Sequence, residues 1–207
     1  ICNLLSTINM SQDFPAFVRS TEIPKEFWSD LTNQPFENCI SCEKNLLDYE
    51  TGYMIEKAMQ SSGLEGVVST IFEYAICLEC AGQLRSQLSA ESLQNITAFY
   101  EHRADFLTRR EELNKAIPEV GKWLEKCIVD NRKYGLGEEY QIYGQCIGKH
   151  FLYHDMPFMI SGRAIEEMVE LISDKTMDEL DNFKKKLTSG PPEFKELLES
   201  GGARVFI

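Results

Sequence analysis

"NCISCEKNLL", residues 38–47, and "AICLECAGQL", residues 75–84, hold four of the chain's seven cysteines in two Cys-x-x-Cys pairs, with 34 residues between Cys42 and Cys77. Two cysteines separated by two residues can aim both sulfurs at one point, because the tight turn between them directs backbone amides at the thiolates and offsets part of their charge. A second such pair completes four ligands at about 2.3 Å, the tetrahedral set that Zn²⁺ takes in structural sites. Cys39, Cys42, Cys77 and Cys80 are therefore the expected ligands of one zinc ion per chain. Four strong donors leave no position for water, so such an ion serves folding and not catalysis. Two other chemistries use the same residue types. A redox dithiol needs only one pair, placed after a strand in a βαβ pattern, and iron–sulfur ligation is open because a Cys₄ set does not by itself choose the metal.

Between the pairs, "GYMIEKAMQ" (52–60) sets Tyr53, Ile55 and Met59 at period two, and "VVSTIFEYAIC" (67–77) is dense in β-branched and aromatic residues. Joined by "SSGLEG", the two predict a β-hairpin. Cys77 and Cys80 run directly into "AGQLRSQL", where Leu84 and Leu88 have helical spacing. A helix start at this point suits thiolates, since its free N–H groups and dipole face them. The order knuckle, hairpin, second pair, helix resembles treble-clef zinc modules over about residues 36–88. That resemblance implies that the last two ligands sit in the first turn of a helix. Glu43 stands where a glycine often follows the second cysteine of the knuckle, so the first turn is expected to differ in detail.

Working outward, residues 1–35 read as a helical or irregular lead-in, with Pro24 at a first helical position after Thr21 and a short apolar face of Phe27, Trp28 and Leu31. From Ser89 the period changes: Leu93, Ile96, Phe99, Tyr100, Phe106, Leu107 and Leu113 share one helical stripe, predicting a long amphipathic helix to about Lys115. Pro118 then restarts or kinks it into "PEVGKWLEKCIV". After the glycine-punctuated loop "NRKYGLGE" (131–138), "EYQIYGQC" and "HFLYH" read as strands turning at Gly148 and Lys149. Three helical segments follow: Ala164 to Ile172, one opened by a capping-box spacing at Thr176 and Glu179 and running through Leu187, and one begun by Pro191 and Pro192. The expected fold class is α+β, in four stretches: lead-in (1–35), zinc module (36–88), long helix and connector (89–133), and a small β element with C-terminal helices (134–207).

A second set draws on "QCIGKHFLYH", where Cys146, His150 and His154 are each four apart, with Cys127 upstream. On a helix they share a face, and in a hairpin turning at Gly148 and Lys149 Cys146 and His150 would lie opposite each other. These four are candidates for a second metal site, or for the site of an enzyme or redox protein, although the spacing matches no ribbon or finger. The plainer reading is a buried apolar cysteine and surface polar residues. His102 reads as structural or solvated, and Cys2 has no partner in sequence. Glu111 with Glu112, and Glu166 with Glu167, read as solvated helix faces. Arg103, Arg109 and Arg110 form a conceivable acidic-partner patch, the simpler account being intrahelical pairing of Asp105 with Arg109. The tail "GGARVFI" is expected to dock on its own core or to add as a strand to a partner's edge.

The 207 residues carry 33 acidic and 21 basic side chains, a net charge of −12 whose field repels polyanions and argues against nucleic acid as a partner. No apolar run approaches the roughly 20 residues of a membrane-spanning helix. The opening "ICNLLSTINM" lacks a basic n-region and reads as a processed start rather than a signal peptide. Seven cysteines, an odd number grouped in close pairs, fit reduced thiolates in a cytoplasmic setting better than a secreted disulfide framework. No phosphate-binding glycine loop, HExxH or nucleophile elbow occurs. The expectation is a non-enzymatic, zinc-stabilised interaction or adaptor protein, with a protein partner or a second copy of itself.

Overall fold

The computed structural model describes residues 18–62 and 67–187. Along the chain run β1 (Arg19–Glu22), a 3₁₀ turn (Lys25–Phe27), β2 (Gly52–Ser61), β3 (Val68–Cys77), α1 (Leu78–Gln87), α2 (Ala90–Arg103), α3 (Phe106–Lys115) and α4 (Val120–Leu124). Then come β4 (Glu139–Ile147), β5 (His150–Tyr153), β6 (Phe158–Ser161), α5 (Gly162–Val169) and α6 (Asp174–Leu187). The strands make one antiparallel sheet of order β1-β5-β4-β2-β3, with β6 also on β4. The class is α+β.

The hairpin expected between the cysteine pairs forms, in register from Tyr53↔Cys77 to Ser61↔Val68, with an irregularity at Ala58/Met59. Its β2 strand also pairs with β4 over nine residues, Gly52↔Ile147 to Gln60↔Glu139. This corrects the expectation of a separate small β element after residue 134. Both faces of β2 and β4 are buried, so only continuous sheet on either side satisfies their backbone groups. On its other edge β4 changes partner at Gly144, pairing with β6 through residues 140–143 and with β5 through 145–147. A Cβ at Gly144 would lie 2.7 Å from both Phe27 and Phe151, whose rings pack at 4.7 Å, so the bare backbone is what lets this aromatic pair close on the sheet.

The lead-in departs from its helical or irregular expectation: residues 19–22 add as an edge strand to β5, from Arg19↔Tyr153 to Glu22↔His150. An edge strand exposed on both faces needs no apolar alternation, and "RSTE" shows none. Pro24 precedes only a single 3₁₀ turn. Phe27 is buried and Trp28 half-buried, while Leu31 is exposed. The segment is pinned by Lys57, whose ammonium donates to the Trp28 carbonyl at 2.7 Å and pairs with Asp30 and Glu73 at 2.9 and 3.2 Å.

The single long helix is two. Ala104 ends α2, and the Asp105 carboxylate accepts the Thr108 amide at 3.0 Å to open α3. A short acidic side chain inside a periodic stripe offers the backbone this alternative to continuing the helix. The N-termini of α2 and α6 meet head to head. Ser89, Ser92, Ser173 and Thr176 form a ring in which each hydroxyl accepts one backbone amide: from Ser92, Ser173, Thr176 and Ser89 respectively, at 3.1, 2.8, 3.4 and 3.0 Å. The α6 start is therefore set by Ser173, three residues ahead of the Thr176 signal. The helix expected after Pro191 and the tail "GGARVFI" lie outside the described residues, as does Cys2.

Candidate metal centre

Residues 38–45 close a tight turn. Asn38 and Asn45 bridge across it, the Cys39 amide donates to the Lys44 carbonyl at 2.9 Å, and the Glu43 amide donates to the Cys39 carbonyl at 2.9 Å. The turn needs a left-handed residue, and Glu43 takes it at φ 60°, the position at which the sequence lacks the usual glycine. Two anchors hold the turn on the sheet: the buried Leu46, whose amide bonds the Glu37 carbonyl, and the Ile40 amide, which bonds the Ala75 carbonyl of β3 at 2.9 Å. Cys39 is thereby carried to the end of the hairpin.

Cys77 is both the last residue of β3 and the N-cap of α1. Its sulfur accepts the Cys80 amide at 3.5 Å, while its own amide donates to the Cys39 sulfur at 3.3 Å. The four Sγ atoms of Cys39, Cys42, Cys77 and Cys80 all lie within 4.8 Å of one another, and Cys42 and Cys77 stand 3.8 Å apart. Burial pushes the Cys39 thiol up, but the amides of Cys77, Cys42 and Ser41 outweigh it and draw it down to about 7. Burial raises Cys77 and pushes Cys80 up to about 12, the neighbouring Cys42 and Cys77 adding to the latter. Four thiols thus converge on one point with amides already aimed at two of them. This donor set is what a soft or borderline divalent metal takes, and the cluster can hold one.

The other sequence candidates are not brought together, which corrects the second metal set. The β4–β5 turn pairs Ile147 with His150 and Cys146 with Phe151, so Cys146 and His150 point to opposite faces. Cys146 is fully buried beside Tyr53, and burial pushes its thiol up to about 12. His150 is exposed. His154 is buried and bonds Gln145 Oε1 through Nε2 at 2.8 Å, and burial pushes it down to about 4. Cys127 accepts the Val129 amide at 3.4 Å, beside β6. Among the described residues no other group of three or more His, Cys, Asp or Glu side chains gathers its ligand atoms as the four cysteines do.

The three arginines do not form a patch. Arg109 turns inward, lying 4.7 Å over the Trp123 ring and donating to the carbonyls of Trp123 and Pro157. Arg110 makes a bidentate pair with Asp155 at 2.7 Å, and Arg103 pairs with Glu167. Asp105 caps α3 instead of pairing with Arg109 on its surface. His102 is exposed, its Nδ1 2.6 Å from the Ala98 carbonyl. Glu112 accepts the Trp123 indole N–H at 3.0 Å, so it is not merely solvated.

A cavity of about 750 Å³ lies between residues 130–139, β4 and α5, with Ala58, Ile71, Gln141 and Ile165 buried among its lining and charged residues of both signs, including Arg132, Arg163 and Glu166, around them. Its residues come from four separate stretches, so no local pattern announces it. Among the described residues no helix is long and apolar enough to cross a membrane. The chain matches no protein-family model, no curated protein and no solved structure.

Proposed function

We propose that this is a zinc-binding protein whose single ion, held by Cys39, Cys42, Cys77 and Cys80, is structural, and that the protein acts as a non-enzymatic interaction or adaptor module. The observation that carries the reading is the convergence of four sulfurs from two distant stretches. The 3.8 Å between Cys42 and Cys77 matches the edge of a tetrahedron with metal–sulfur bonds of about 2.3 Å, which is also about 3.8 Å. With all four positions filled by protein, the ion has no place for a reacting water and supplies cross-linking instead.

A treble-clef-like arrangement is supported by the order along the chain: turn 38–45, hairpin 52–77, then Cys77 and Cys80 at the start of α1. The N-terminus of α1 meets the thiolates with free amides. The partner in this reading is a protein or a second copy, since a net charge of −12 repels polyanions. Metal analysis of protein purified without added zinc tests it. One zinc per chain is expected; iron, or no metal at all, would overturn it.

A further inference from the structure

The four sulfurs are unequally protected. Cys39, Cys77 and Cys80 are only 1, 2 and 9% exposed, whereas Cys42 is exposed. The cause is the geometry of the turn. Its Cys39 side is pressed on β3, through the Cys77 amide on the Cys39 sulfur and the Ile40 amide on the Ala75 carbonyl, and Cys42 stands on the solvent side. Its sulfur stands 3.8 Å from that of Cys77, across the gap between the two stretches.

We propose that Cys42 is an oxidation site through which a hydroperoxide reaches the cluster, with Cys77 as the resolving thiol, so that oxidation exchanges the metal for a Cys42–Cys77 disulfide. The inference rests on the zinc reading above. In the first step the Cys42 thiolate attacks one peroxide oxygen and the O–O bond breaks. Cys42 becomes a sulfenic acid, and the alkoxide or hydroxide that leaves takes a proton from water. In the second step the Cys77 thiolate attacks the Cys42 sulfur, the S–O bond breaks and the departing hydroxide is protonated to water. Two sulfurs have each given up one electron and the peroxide has accepted two. Cys39 and Cys80 alone remain as ligands, and the zinc ion leaves without changing its own oxidation state.

Closing this bond takes the sulfurs from 3.8 Å to about 2.05 Å, a movement the exposed turn can supply while Cys77 stays fixed between β3 and α1. The product joins the same two stretches that the metal joined. A disulfide within either pair would instead leave residues 38–45 and 77–80 unconnected.

The test uses the full chain with Cys2→Ser throughout, since that thiol lies outside the described residues. Zinc-loaded protein is treated with one equivalent of hydrogen peroxide, released metal is followed with a chromogenic chelator, and disulfides are mapped by mass spectrometry without reduction. Loss of one zinc together with a Cys42–Cys77 link is expected, with Cys127 and Cys146 still reduced. Cys42→His keeps a zinc ligand but removes the exposed sulfur, and should slow release by about tenfold or more. A Cys39–Cys42 or Cys77–Cys80 link, or retention of zinc under peroxide, would overturn the proposal. The map needs no variant to fold. Protein that carries no zinc before peroxide is added sinks the metal reading itself, a separate result.

Discussion

The turn at residues 38–45 carries Cys39 and Cys42, and the turn at 148–149 follows Cys146, near the same end of the hairpin system, yet one gathers thiols and the other disperses them. In the first, Ile40 and Cys39 bond to β3 and Cys77, and four sulfurs meet. In the second, a two-residue turn fixes the pairing Ile147↔His150, and Cys146 goes into the core while His150 goes to solvent. Residue spacing is similar in kind. What differs is the element that carries it: a knuckle aims both of its cysteines at one point, whereas a strand alternates faces, and a shift of one residue in register reverses every side chain.

The largest effect that separates the two regions is removal of one cysteine from each. Cys77→Ala takes away one sulfur of the cluster, the one that caps α1, and on the proposed zinc reading is expected to lose zinc and about 5 kcal/mol or more of stability, or to unfold. Cys146→Ala removes a small buried group and should cost about 1–2 kcal/mol with zinc content unchanged. Urea titration with metal analysis on both reads the contrast. Zinc loss in Cys146→Ala, or an undiminished midpoint in Cys77→Ala, would break it.

The same contrast explains what the sequence could disclose. The cysteine cluster was legible because its geometry is local to two four-residue motifs, and the β2–β3 hairpin because Val68, Ile71, Phe72 and Ile76 prefer extended backbone. The strand pattern of 139–147 was equally legible, but its place beside β2 was not, since pairing partners about 90 residues apart leave no periodic trace. Asp105 shows a different limit. As an acid four residues before Arg109 it read as a surface pair within one long helix. It instead caps a second helix, while Arg109 packs on Trp123, and that packing lies outside any local window. Likewise Thr176 and Glu179 signalled a helix start, while the hydroxyl ring with Ser89 and Ser92 moved it to Ser173.

A smaller effect sharpens the second region. His154 is buried beside Gln145, and burial, partly countered by Asp155, holds its pKa at about 4 against 6.5 for a free side chain. The folded state therefore binds fewer protons than the unfolded one between those values, and stability falls as pH drops from about 6.5 toward 4, by about 3 kcal/mol for this group alone. Any effect of acid on the cysteine cluster is common to both proteins being compared. The difference in unfolding free energy between wild type and His154→Gln, measured from pH 7 to pH 4, should shrink by that amount in the variant's favour. Parallel curves would show that the histidine is not held neutral by the fold.

The smallest effect belongs to the first region and has the opposite sign. Glu43 holds φ 60°, where an L side chain costs roughly 1–2 kcal/mol and glycine costs nothing in the folded state. Glycine gives back about 0.5–1 kcal/mol through the greater freedom of its unfolded chain. Glu43→Gly should therefore stabilise by about 0.5 kcal/mol, a rise of about 1–2 °C in Tm for a chain of this size. Glu43→Asn, which tolerates this conformation, should gain part of that, and Glu43→Ala, which keeps the Cβ, should gain nothing. Equal values for alanine and glycine would mean that φ 60° at this position carries no strain for an L side chain.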